Sequence, residues 1–254
     1  MATPKTGSSK RAVYVLGGVA CLVAAIVFRR WLNAEYLLLH GAGVLRFGPE
    51  TQPATAAQWL ELLHSDPLVG VLLLNAFDLV NYALVGVLFV GLFAALRDAA
   101  WRTMQISLSL ALAGVAFFFL SNHAFALLSL SRDYFGATSD VDRVGFLSAA
   151  QALVTTSNPM VFGTGVFWAL VAVSSAGLVA SIGMLRTAVF PKVAGYFGLI
   201  ANILGLCYFF TVAFDPPLTF IPLSGSAPFL LVWYLLMGIK LLRLARVGRN
   251  TANP

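Results

Sequence analysis

With 254 residues, of which 59% are hydrophobic and 10% charged, the chain carries more apolar surface than a water-soluble fold can hide, soluble domains averaging about 25% charged residues. Its mean hydropathy of +0.87 agrees. A net charge of +6 could in another chain suggest nucleic acid, but here the basic residues sit at the ends of apolar runs and not on a face with interleaved aromatics, so no nucleic-acid partner is expected.

After a short N-terminal tail, 1–11, six apolar runs of about the length that crosses a bilayer follow in order: 12–28, 72–96, 104–127, 163–185, 193–214 and 228–242. They predict an all-α integral membrane protein, a single six-helix transmembrane bundle over 12–242 with a basic tail at 243–254. The first run is short. It extends through 31–39, or it is the apolar region of a secretory signal behind Lys5, Lys10 and Arg11. An uncleaved anchor is the reading taken here, because the run ends at Arg29-Arg30 with no small-x-small cleavage site. Cys21 and Cys207 lie inside apolar runs, where cysteine behaves as a small hydrophobe and defines neither a disulfide nor a metal site.

With a cytoplasmic N-terminus, eleven basic residues fall inside (Lys5, Lys10, Arg11, Arg97, Arg102, Arg186, Lys192, Lys240, Arg243, Arg246, Arg249) and five outside (Arg29, Arg30, Arg46, Arg132, Arg143). The positive-inside bias then places both termini in the cytoplasm of a bacterial-type cell membrane. Arg29-Arg30 runs against the bias and would snorkel to the outer headgroups. The run from Lys240 through Arg243, Arg246 and Arg249 is one helical face, suited to anchoring on anionic headgroups.

The two long outer loops each contain an amphipathic stretch. In the first, Trp59, Leu60, Leu62 and Leu63 oppose Gln58, Glu61 and His64; in the second, Phe146, Ala150, Leu153 and Val154 share a face. They predict two interfacial helices on the outer side, or helices that pack on the bundle. Ser65-Asp66-Pro67 before the second span and Ser157-Asn158-Pro159 before the fourth are both helix-start signals, so spans one-two and three-four read as copies of one unit, or as a chance match. Asp215-Pro216-Pro217 predicts a tight turn between the last two spans.

The segment 184–198, with Phe190-Pro191-Lys192 and Gly195-Tyr196-Phe197-Gly198, together with Asn75-Ala76-Phe77-Asp78 and its continuation to Tyr82, resembles a bacterial family of multi-pass membrane proteins classed only as a domain of unknown function. The resemblance covers the chain from about Trp31 onward. It implies the architecture and supplies no activity.

Polar residues inside apolar runs are the remaining signal. Asn75, Asp78 and Asn81 recur every third residue on one face of the second span, and Asp78 is the one acidic residue inside a span. An ionisable group there costs roughly 2.5–3.5 kcal/mol on insertion scales, so it faces the bundle and has a partner. Asn122 and His123, near the outer end of the third span, lie at a comparable depth. With Tyr208 of the fifth span these groups are candidates to line a small polar cavity opening outward. They either satisfy one another as interhelical hydrogen bonds or form a protonation-coupled or ligand-binding pair around Asp78 and His123.

Catalysis is not expected. His40, His64 and His123 lack metal-ligand spacing, and a His64 and Asp66 metal pair is the weakest of the alternatives. Gly163-Thr164-Gly165 lacks the lysine of a phosphate loop, and no serine sits in a nucleophile elbow. No cofactor is implied. The expected function is a non-catalytic membrane protein, an accessory subunit of a membrane complex or a binder of a small ligand or lipid, whose partners are the bilayer and other membrane subunits. The alternative is a small proton-coupled transporter using Asp78 and His123.

Overall fold

The structure, a computed structural model, describes residues 6–27, 53–158, 161–214, 218 and 220–250. Arg29-Arg30, the extension through 31–39, His40, Pro159 and the turn at 215–217 lie outside the described residues. The described chain is all-α: α1 (Thr6–Val27), α2 (Ala56–Ser65), α3 (Pro67–Val71), a π-helical turn (Leu72–Ala76), α4 (Phe77–Ser121), α5 (Ala124–Gly136), α6 (Asp140–Thr156), α7 (Gly165–Arg186), α8 (Lys192–Phe214) and α9 (Phe220–Asn250). Among the described residues, four stretches are long and apolar enough to cross a membrane: Asp78–Gly136, Gly165–Arg186, Lys192–Phe214 and Ile221–Val247.

The first of these contains a reversal. Ala100 has φ −148° and ψ 50°, outside the helical region, and it splits α4 into two arms. The rings of Tyr82 and Phe118 stack at 3.9 Å with 7° between their planes. On a continuous helix rising 1.5 Å per residue they would stand about 54 Å apart. The arms therefore lie antiparallel, with Arg97, Asp98 and Arg102 around the bend. A Cβ on Gly86 would sit 3.7 Å from Val115 Cγ2. Cysteines at 86 and 115, with Cys21 and Cys207 replaced by alanine, are expected to form an intramolecular disulfide on mild oxidation. Intact-mass analysis reads the loss of two hydrogens, and a straight α4 would give none.

Helices consecutive in the chain pack antiparallel, Gly177 meeting Asn202 and Gly195 meeting Leu185, and α9 returns to α1 to close the bundle. Small residues set the approach, as membrane helices require when lipid gives no hydrophobic drive to associate. The buried face of α1 is Gly17, Gly18, Ala20, Cys21, Ala24 and Ala25. A Cβ on Gly17 would lie 2.8 Å from the Gly91 Cα, and one on Gly18 3.1 Å from the Gly238 carbonyl. Tyr14 donates to the Ala94 carbonyl at 3.3 Å. Between the second arm of α4 and α7, buried Ser107 donates to the Ala176 carbonyl at 2.8 Å. Antiparallel alternation gathers Lys10, Arg97, Arg102, Arg186, Lys192, Lys240 and Arg243 at one end of the bundle, where Lys10 and Arg97 pair with Asp98 at 3.8 and 3.6 Å.

At the opposite end, α2, α5 and α6 form a layer with its own apolar core of Leu60, Leu63, Leu127 and Ala150, joined by Leu74 of the π turn. The amphipathic faces predicted for 58–64 and 146–154 are turned toward each other and toward α5: Leu60, Leu63 and Ala150 are buried, while Gln58, Glu61 and His64 are exposed. Ser131 ties the layer together by donating to the Leu60 carbonyl at 2.6 Å. Thr55 and Gln58 close α2 with a reciprocal capping box. Asp66 caps α3, accepting from the Val69 amide at 3.2 Å with Pro67 in the first turn. The supposed second copy departs from this pattern: Asn158 accepts the Val161 amide in a turn, and Thr164 caps α7 through the Phe167 amide at 3.2 Å.

Two helix ends differ from those predicted. The run 104–127 is broken at Asn122-His123, because the Asn122 side chain takes the Ala124 amide at 3.2 Å and starts a new helix. The last helix begins at Phe220, not at Pro228, and carries Pro228 inside it. Membrane helices tolerate an internal proline where neighbours re-satisfy the freed backbone groups.

Candidate functional site

A cavity of about 70 Å³ lies among the first arm of α4, α7, α8 and α9. Its walls mix aliphatic side chains, among them Val85, Val173 and Leu230, with five aromatic rings: Tyr82 and Phe89 from α4, Tyr208 from α8, Trp233 and Tyr234 from α9. Ser174, Asn202 and Ser226 add polar groups, and none of the lining residues is charged. Several waters or one small molecule would fit, since a single water needs about 10–15 Å³ measured in this way.

Each wall is held from behind. Tyr82 is backed by its stack on Phe118. Tyr208 is buried, with its ring 5.9 Å from that of Phe167. Asn202 donates to the Gly198 carbonyl at 2.7 Å and presses on Gly177, where a Cβ would fall 2.2 Å from its Oδ1. Ser226 donates to the Leu223 carbonyl at 2.7 Å. Trp233 stacks on Tyr234 at 5.6 Å, and its Nε1 lies against Gly198, where a Cβ would be 2.5 Å away. That Nε1 is buried without a hydrogen-bond partner, and so is Oδ1 of Asn81. A buried unpaired donor or acceptor costs about 1–3 kcal/mol.

The six residues singled out in the sequence do not form one cluster around the cavity. Tyr208 lines it. Asn81 is buried beside Tyr82 in sequence but is not among the lining residues. Four residues back from Tyr82 and four on from Phe118, the antiparallel register sets Asp78 level with Asn122, at the outer margin of the two arms. Asp78 is half-buried in the first turn of α4, which continues from the π turn without a break. Asn122 starts α5, and His123 occupies the N-cap position with its imidazole making no capping bond. Asn75 stands in the π turn, its side chain outside the described residues. Of the metal pair considered above, His64 stacks on Phe135 at 4.1 Å and Asp66 is engaged as a cap.

Sequence reasoning missed Tyr82, Asn202, Ser226, Trp233 and Tyr234. Asn202 carried a signal, a lone amide deep in an apolar run, whereas an aromatic pair such as Trp233-Tyr234 is indistinguishable in sequence from ordinary packing. Comparison of the chain with protein families, with curated proteins and with solved structures gives no match.

Proposed function

We propose that the chain is a non-catalytic six-span membrane protein, α1, the two arms of α4, α7, α8 and α9 being the spans, that holds a small, largely apolar molecule inside its bundle. The observation that carries this reading is the cavity: four helices converge on an apolar space with five aromatic rings, three polar side chains and no charged group in its wall. Sites of this composition, apolar with a few placed polar groups, are the usual form of a small-molecule pocket. The basic end of the bundle faces the cytoplasm in this proposal, by the positive-inside bias. The α2, α5 and α6 layer then covers the outer side.

Native mass spectrometry after extraction in a mild detergent tests the reading. A non-covalent small-molecule adduct is expected on the wild type and not on Ala201→Leu, which fills the cavity from α8 and should melt no lower than the parent. A stoichiometric polypeptide partner with no adduct would instead make the chain an accessory subunit.

A second reading has its own support. The π turn at Leu72–Ala76 and the break at Asn122-His123 interrupt both arms of α4 at one level, beside Asp78. Such interruptions are where ion-coupled transporters build their sites. In a proton-coupled transporter, Asp78→Asn abolishes proton flux into proteoliposomes and leaves the melting temperature within about 2 °C. As a packing group, the same substitution lowers the melting temperature by several degrees, a loss of about 1–2 kcal/mol.

A further inference from the structure

The basic end of the bundle has two chemically different sides. Toward α1, Lys10 and Arg97 share the carboxylate of Asp98. Toward α7 and α8 stand Arg102, Arg186 and Lys192 with no carboxylate, Asp98 being the one acidic group at this end among the described residues. We propose that these three side chains hold the phosphate of an anionic glycerophospholipid whose acyl chains lie along the outer face of α8, a site separate from the basic face of α9.

Packing brings the three cations together. Gly183 lets α7 close on the second arm of α4, since a Cβ there would stand 3.4 Å from Thr103 Cγ2 and 3.6 Å from Met104 Sδ. Arg102 precedes those two residues, and Arg186 lies just under one turn beyond Gly183. Lys192 reaches back to donate to the Leu185 carbonyl, which sets its ammonium beside Arg186 and leaves it two further N–H groups. Arg102 and Arg186 are exposed, and neither makes a hydrogen bond or ion pair among the described residues. Cations gathered without a counter-ion repel one another, a cost that one shared anion removes. The first turn of α8 opens at Lys192, and its leading amides, which have no acceptor within the helix, add to the attraction.

Two observations select a lipid. Beginning beside Lys192, the residues Val193, Tyr196, Ile200 and Ile203 recur on one exposed face of α8. By Ile203 that apolar track has run about 15 Å, the depth of one leaflet. Trp101 and Tyr196, both exposed, flank the cations with rings of the amphipathic kind that gather at headgroup level. A free phosphate or an acidic peptide would use the cations and neither the track nor the rings.

The test titrates the full chain, delipidated in a mild non-ionic detergent, with phosphatidylglycerol or with phosphatidylcholine of the same acyl chains, and reads the Kd of the first bound lipid from native mass spectra. Phosphatidylglycerol is expected to bind at least about tenfold tighter. Arg102→Gln combined with Arg186→Gln should remove most of that preference, whereas Arg243→Gln combined with Arg246→Gln, on α9, should keep most of it. All four positions are exposed, so both pairs should melt close to the parent. Equal affinity of the wild type for the two lipids overturns the proposal, and so does a preference that survives the first pair and falls with the second. Displacement of the lipid by inorganic phosphate at equal concentration makes this a soluble-anion site, and displacement by a polyglutamate peptide makes it the seat of an acidic partner; either result overturns the lipid assignment. If the first pair does not fold, the single Arg186→Gln variant and the wild-type comparison of the two lipids decide.

Discussion

Replacing Gly91 with valine is expected to destabilise the bundle by about 3 kcal/mol or more, enough to remove most folded protein from a detergent extract. A Cβ at Gly91 would lie 2.9 Å from the Gly17 Cα, so the clash is backbone against side chain and no rotamer relieves it. Overpacking in cores that can relax costs about 1–3 kcal/mol. Here α1 would have to move away from α4 along its length, giving up the Tyr14 bond to Ala94 and the seating of Ala20 and Ala24. Unfolding titrated with a denaturing detergent measures the loss. Gly86→Val is the control, since a Cβ there meets only a methyl of Val115 at 3.7 Å and should cost far less. Equal losses for the two variants would mean that the Gly17 and Gly91 contact does not set the position of α1.

Tyr208→Ala is expected to cost about 2–3 kcal/mol, and Tyr208→Phe no more than about 1 kcal/mol. The first figure is lower than that for a large aromatic in a water-soluble core, for a physical reason. A span that leaves the bundle enters lipid, which is as apolar as the bundle, so the transfer contribution falls away and the cost of the hole remains. At about 24 cal/mol per Å³ of residual cavity, losing most of a phenol ring gives the quoted range. Tyr208 is 1% exposed and touches Phe167, which is fully buried, so little can move in to refill the space. The same denaturation assay reads both variants. A Tyr208→Phe cost as large as that of Tyr208→Ala would mean that the hydroxyl, not the ring, carries the stability.

Much of the helical layout is legible because charge and hydropathy report directly on where a chain can leave an apolar environment. The cluster from Arg97 to Arg102 marks the reversal at Ala100, and Arg186 with Lys192 brackets the turn before α8. Helix ends set by side-chain hydrogen bonds are less visible. Asn122 reads as a ligand in sequence and acts as the start of a helix, while Pro228 reads as a start and lies inside one. The cavity was the least legible part. Tyr82, Asn202 and Trp233 come from three helices and share no periodicity, so only the packing of α4, α8 and α9 around one space brings them together. The sequence groups Tyr208 with Asp78 and His123 by depth, and depth alone does not say which helices are adjacent.

The layer of α2, α5 and α6 has a history as well as a structure. Its two sides are separated in the chain by the whole of α4, so the face of α2 that carries Leu60 and Leu63 is made about sixty residues before Ala124 begins its partner helix. At synthesis rates of about 5–20 residues per second that interval lasts roughly 3–12 s. Leu127, Ala150 and the Ser131 hydroxyl that meets the Leu60 carbonyl do not yet exist during it. The capping box of Thr55 and Gln58 needs nothing beyond α2 itself and favours the helix through that wait, whereas ten residues alone are marginal as a helix until their partners arrive.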